Sequence, residues 1–157
     1  MILILFLHLS ILLATDVNAP LQRTRDREVD IHHIKIDVSV DIGTESVYGH
    51  VVHTLSPLSS SLSSFSLDAD DMHVKRVRMG NDDLEFIYSN SKLNIELLRP
   101  ISWNDTIKVR IDYSSKPRKG TFFVKPDKTY PDKPYQAWTQ GEDMDNPEVA
   151  FQPVECM

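Results

Sequence analysis

Gln140 and Glu142 stand in the run Ala137-Trp138-Thr139-Gln140-Gly141-Glu142, with Trp138, Thr139 and Gly141 as its supporting residues. They are the residues of this chain best suited to chemistry. A carboxylate on a rigid loop can pair with an α-ammonium group, and a nearby amide can donate to or accept from the adjoining peptide unit. Charge-assisted hydrogen bonds of this kind are roughly twice as strong as neutral ones. That is a binding role rather than catalysis. The plainer reading of the same run is a polar turn with Trp138 packed beneath it.

The other candidate groups fall away on spacing. His50 and His53 lie three apart on a predicted strand, so they point to opposite faces and cannot chelate one ion unaided, and the adjacent His32 and His33 diverge for the same reason. His73 stands near Asp68, Asp70 and Asp71, but the run lacks the ligand spacing and central glycine of a calcium loop. No metal site is therefore assigned. Hydrolytic zinc chemistry commonly uses H-E-x-x-H, whose histidines share a helix face while the glutamate between them activates the metal-bound water. No His-Glu dipeptide occurs in the sequence. There is also no G-x-S-x-G, no P-loop and no cysteine framed as a nucleophile. Cys156 is the single cysteine, so neither an intrachain disulfide nor a thiolate metal cage can form. No catalytic residue is assigned, and a net charge of −6 argues against nucleic acid as a partner.

The elements that must position Gln140 and Glu142 begin after a leader. Met1 to Ala14 is nearly all apolar and is followed by small or polar residues up to Ala19. It is shorter than the roughly 20 residues of a spanning helix. Residues 1–19 therefore read as a secretory signal peptide or hydrophobic anchor, which implies a secreted or membrane-anchored extracellular protein. In that setting Asn104-Asp105-Thr106 is a possible N-glycosylation acceptor at Asn104. Residues 20–29 form a polar linker bearing Arg23, Arg25 and Arg27.

From His33 onward the pattern has a period of two. Ile34, Ile36, Val38, Val40 and Ile42 point to one side of a strand, and His33, Lys35, Asp37, Ser39 and Asp41 to the other. Further strands are predicted at Val47–Leu55, Phe65–Asp68, Val74–Met79, Leu84–Tyr88, Lys92–Leu97, Thr106–Tyr113 and Gly120–Val124, separated by turn signals. The serine run Ser59 to Ser64 reads as a loop between strands. No segment carries a convincing amphipathic helix. The fold class is all-β, an antiparallel sheet or sandwich.

The order of these features resembles the N-terminal β-domain of the aminopeptidase N family of zinc metallopeptidases. The resemblance rests on the alternating first strand, Leu67-Asp68-Ala69-Asp70-Asp71, the stretch Ile111 to Gly120, and Ala137 to Glu142. It covers residues 30–146 and implies a saddle-like β-domain. It also implies that Gln140 and Glu142 lie on a loop that holds the free amino terminus of peptide substrates. Zinc belongs to the full-length family and not to this chain, and peptide N-termini become partners only when a catalytic domain completes the site. Met144-Asp145-Asn146 resembles the family's G-x-M-E-N only superficially, and residues 147–157 form a divergent tail. The expectation is a non-catalytic, capping domain lacking its last strands, with Leu93, Ile95, Val109 and Ile111 under incomplete cover and self-association through an exposed sheet edge. The alternatives are a secreted β-sandwich module that binds a peptide or protein, or a non-functional truncated fragment.

Overall fold

Apolar residues spaced at every second position build two sheets whose apolar faces meet. The computed structural model of the chain describes residues 27–118 and 120–139. The expected leader, most of the linker, Gln140, Gly141, Glu142 and the tail lie outside the described residues. Ten strands follow in chain order: β1 (Val29–Asp41), β2 (Ser46–Pro57), β3 (Leu62–Asp68), β4 (Met72–Met79), β5 (Asp82–Asp83), β6 (Phe86–Ser89), β7 (Lys92–Ile101), β8 (Ile107–Ser115), β9 (Thr121–Val124) and β10 (Gln136–Thr139). They form a five-stranded sheet in the order β1-β2-β8-β4-β5, a three-stranded sheet β3-β7-β6, and a two-stranded sheet β10-β9. All pairings are antiparallel. The expected all-β class is observed, in its sandwich form.

One strand face is apolar only if register and alternation stay in phase; among the described residues the pairing slips in three places, in β1, β3 and β4, and in β1 and β4 an extra residue brings the two back into phase. β1 carries Val29 and Ile31 inward, then switches to Ile34, Ile36 and Val38. The switch falls where the pairing with β2 slips between Ile31 and His33. His32 is the extra residue, so the parity of the inward face changes without breaking the sheet. In β4, Met72 and Val74 precede the same kind of slip between Val74 and Arg76, and Val77 follows it. The sequence alternation read from Ile34 is thus one half of a longer strand that starts at Val29, within the stretch expected to be linker. Glu28 fixes that start: its carbonyl accepts from Leu58 N at 3.0 Å and its carboxylate from Ser66 N at 2.8 Å.

The core runs between the five-stranded and three-stranded sheets. Val51, Leu55, Val74, Val77, Val109, Ile111 and Tyr113 come from the first, and Phe65, Leu67, Leu93, Ile95, Leu97 and Ile101 from the second. The expected incomplete cover over Leu93, Ile95, Val109 and Ile111 is corrected here, because none of the four is more than 1% exposed. The physical reason is placement. β7 lies between β3 and β6, and β8 between β2 and β4, so each is hydrogen-bonded on both edges while its apolar face is covered by the opposite sheet. Met72 N also donates to the Tyr88 hydroxyl at 3.3 Å, joining the sheets at their margin.

One tight turn and one close backbone approach constrain the strands. β6 and β7 are joined by Asn90 and Ser91, both with positive φ of 52° and 56°, the geometry of a two-residue hairpin turn whose twist matches the flanking strands. Serine is a poor occupant of that conformation. Ser91 is held there by its hydroxyl donating to Asp70 Oδ1 at 2.6 Å and its carbonyl accepting from Ala69 N at 2.9 Å. Gly49, opposite Val38, meets a different demand: a Cβ there would overlap the Asp37 carbonyl oxygen and lie 2.7 Å from Val38 Cα.

Candidate functional site

Trp138 and Thr139 belong to a small hairpin. Thr121, Phe122, Phe123 and Val124 of β9 face Thr139, Trp138, Ala137 and Gln136 of β10. β10 is a strand that the sequence pattern does not predict. Alternation puts Phe122 and Trp138 on one face, where their rings stack with centroids 4.2 Å apart and planes 16° from parallel. Trp138 is 47% exposed and Phe122 44%. Tyr130 and Tyr135, on the connection between the strands, are more exposed still. The pairing signal was present in Thr121-Phe122-Phe123-Val124 and Ala137-Trp138-Thr139, but only their partnership reveals the aromatic pair.

The connection is ordered by one carboxylate. Asp127 Oδ1 accepts from Thr129 N at 2.9 Å and Tyr130 N at 2.8 Å, and its Oδ2 accepts from Lys133 Nζ at 2.7 Å. The Lys133 hydrogen bond, aided by those two backbone amides, holds the Asp127 carboxyl below the usual range. Two ties run from the hairpin region to the sandwich. Lys125 Nζ pairs with Glu45 at 2.7 Å and donates to the Gly43 carbonyl at 3.2 Å. Arg118 grips Asp71 through two bonds of 2.7 and 2.6 Å, and the Asp71 hydrogen bond raises its guanidinium further above its ordinary value. Asp71 thus serves as an anchor for the segment leading into β9.

The structure places Thr139 at the end of β10, immediately before Gln140 in the chain. Gln140, Gly141 and Glu142 themselves lie outside the described residues. Asn104 is exposed in the turn between β7 and β8, where Ser102 and Asp105 bond reciprocally: Ser102 N to Asp105 Oδ2 at 2.7 Å and Asp105 N to Ser102 O at 2.8 Å.

Other polar residues pair with one another on the sandwich or are buried in it. On the outer face of the five-stranded sheet Asp112 accepts from Arg110 at 2.8 Å and from Arg78 at 3.3 Å. Burial would raise its carboxyl, but these two guanidinium groups outweigh that and lower it. His53 is fully buried, with neither ring nitrogen hydrogen-bonded. Desolvation pushes it down to about 4, so the imidazole is neutral near pH 7. His50 faces outward, 4.0 Å from Asp37, so the two histidines do lie on opposite faces. Among the described residues no group of three His, Cys, Asp or Glu side chains could hold a metal ion. The described residues do not fit a zinc centre.

No protein-family model matches the chain, and no curated protein matches it. Solved structures do. One is an M1 zinc metallopeptidase variant from Deinococcus radiodurans bound to a Tyr-Ser-Ala substrate, at a TM-score of 0.55 and 22% identity over 59% of this chain. The same bacterial enzyme without that substrate gives 0.53 and 22% over 60%. Native yeast LTA4 hydrolase gives 0.51 and 16% over 62%. The match spans 22% of the bacterial chains and 16% of the yeast one. Likeness at this level establishes the fold alone: a β-domain similar to one found within these M1 metallopeptidase and LTA4 hydrolase structures.

Proposed function

We propose that this chain is the non-catalytic N-terminal domain of a zinc aminopeptidase-like protein, and that its Gln140 and Glu142 help to bind the free amino terminus of a peptide. In a longer protein it would cap the catalytic domain, which would supply the zinc. The observation that carries the reading is the pairing of β10 with β9 as far as Thr139, which fixes the backbone up to the residue before Gln140. The fold likeness to M1 metallopeptidases supports it. Glu142 would accept from the α-ammonium and Gln140 would bond the first peptide unit. The apolar leader and the exposed Asn104 turn support an extracellular location, secreted or membrane-anchored, with Asn104 open to glycosylation.

A nuclear magnetic resonance titration of the full chain with a tripeptide and its Nα-acetylated form tests this. A few charge-assisted bonds correspond to a roughly millimolar dissociation constant. The expected result is shifts at Trp138 and Thr139 with the free-amine peptide, lost on acetylation and in Glu142→Gln. Equal binding of both peptides would instead favour a self-standing peptide-binding module, a reading that the exposed Phe122–Trp138 stack supports. Binding of neither would overturn both.

A further inference from the structure

The edges of the sandwich are unequal. β5 has two residues and β6 four, too short to template another strand. β3 is covered in part by the Glu28 carboxylate, which takes up the Ser66 amide. β1 is different: it has 13 residues, pairs with β2 on one edge, and has no described strand on the other. Ile34, Ile36 and Val38 pack on the core yet stay only half-buried, and Val40 is 46% exposed. An added strand would cover them. Such an edge is usually blunted by a charge or a bulge, and β1 has both, in Lys35 and in the bulge at His32.

The placement of the charges changes what they exclude. Lys35 and Asp37 are exposed and project from the same face, two residues apart. In a parallel in-register pair of β1 strands, each would meet its own like charge. In an antiparallel pair with a two-fold axis through Ile36, Lys35 of each copy lies opposite Asp37 of the other. His33 then faces Ser39, and on the inner face Ile34 faces Val38 and Ile36 faces itself. This register uses the bulge-free segment His33 to Ser39, and the bulge at each end stops it from extending. Opposite charges directly across an antiparallel pair are stabilising and like charges destabilising, and a two-fold interface must be self-complementary in this sense.

We infer that the outer edge of β1 is a homodimer interface, in which two copies of this chain join their five-stranded sheets antiparallel about Ile36. The inference is independent of the peptide-binding proposal, since β1 is remote in sequence from Gln140 and Glu142 and its test involves no peptide.

Sedimentation velocity of the full chain across a concentration series tests it, with circular dichroism confirming that each variant is folded. The wild type is expected to pass from monomer to dimer. Lys35→Glu and Asp37→Lys, each of which places like charges across the axis, should raise the dissociation constant about tenfold or more. The double swap, Lys35→Glu with Asp37→Lys, restores opposite pairing and should recover most of the affinity. A merely destabilising surface change would not be rescued in this way. A wild type that stays monomeric up to roughly half-millimolar concentration, or a dimer indifferent to both single swaps, would overturn the inference.

Discussion

The sandwich and the β9–β10 hairpin are both antiparallel, yet they are held together by different means. In the sandwich, two sheets bury one apolar set between them, and Phe65, Ile95, Val109 and Tyr113 are essentially removed from water. In the hairpin no described residue is buried, and order comes from one stacked aromatic pair, one organising carboxylate and two surface ties. A two-stranded ribbon is marginal in water by itself. The contrast teaches that stability and candidate binding lie in separate parts of the molecule. The sandwich supplies a platform, and the segment leading to Gln140 is attached to it by weak, local interactions.

The most severe challenge to that division is a cavity in the core. Phe65→Ala should cost about 3–5 kcal/mol, a large share of a small domain's total stability. Urea denaturation followed by far-ultraviolet circular dichroism measures it. The comparison breaks if the midpoint hardly moves, because then the sandwich would not be the source of stability.

Acid offers a second, slightly smaller test. His53 has an ordinary value of 6.5 and is pushed down to about 4 by burial in the fold. Between those pH values the unfolded chain carries the proton and the folded chain does not, so stability falls as pH drops from 6.5 towards 4 and then levels off. The full difference is on the order of 3 kcal/mol. The facing strands present Ile34 and Val109 in register with His53. Tyr113 is the other titratable side chain in the core; it is pushed up to about 12 by burial and acts only in alkali. Asp112 and the other lowered carboxyls, Asp41, Asp83 and Asp127, act below the ordinary carboxylate value, outside the histidine window. Denaturation midpoints at pH 7, 6, 5 and 4.5 should therefore show a slope that His53→Leu abolishes. An unchanged slope in the variant would assign the acid sensitivity elsewhere.

Much of this architecture was legible in the sequence, and the residues that misled show why. The alternation from Ile34 to Val38 fixed the sided character of β1 because a half-buried strand has to repeat every two residues. Val29 and Ile31 carry the same signal out of phase, and only the bulge at His32 reconciles the two. β10 was missed because four residues are too few to show a period; it is a strand by virtue of β9 alongside it. The burial of Leu93, Ile95, Val109 and Ile111 could not be read locally, since it depends on β7 and β8 having neighbours on both edges, contributed by β3, β6, β2 and β4 from distant parts of the chain. Gln140 and Glu142 were picked out by residue type and motif, neither of which fixes a geometry.

The hairpin itself responds on a smaller scale. Trp138→Ala removes the stack on Phe122, an interaction of about 1 kcal/mol for an aromatic pair. The sandwich makes no use of this pair, so the urea midpoint of the whole domain should stay within about 0.5 kcal/mol of wild type. Amide hydrogen exchange at Thr121 to Val124 should accelerate while exchange in β2, β7 and β8 stays slow. Loss of protection in both regions together would mean that hairpin and sandwich open as one unit.

The smallest effect sharpens the comparison most, because it isolates the tie between the two regions. Lys125 reaches from the end of β9 to Glu45 and the Gly43 carbonyl in the β1–β2 turn. Both charged side chains are well exposed, so Lys125→Ala should change global stability by about 0.5 kcal/mol or less, and still less at high salt. Its consequence is instead positional. Without the tie, the hairpin keeps its Phe122–Trp138 stack but is less firmly held to the sandwich. Exchange should then rise moderately at Lys125 and Gly43, with the stacked pair's near-ultraviolet circular dichroism unchanged. If the variant loses the stack signal as well, the aromatic pair depends on the sandwich for its geometry. The hairpin would then be an extension of the platform rather than a separately ordered element attached to it.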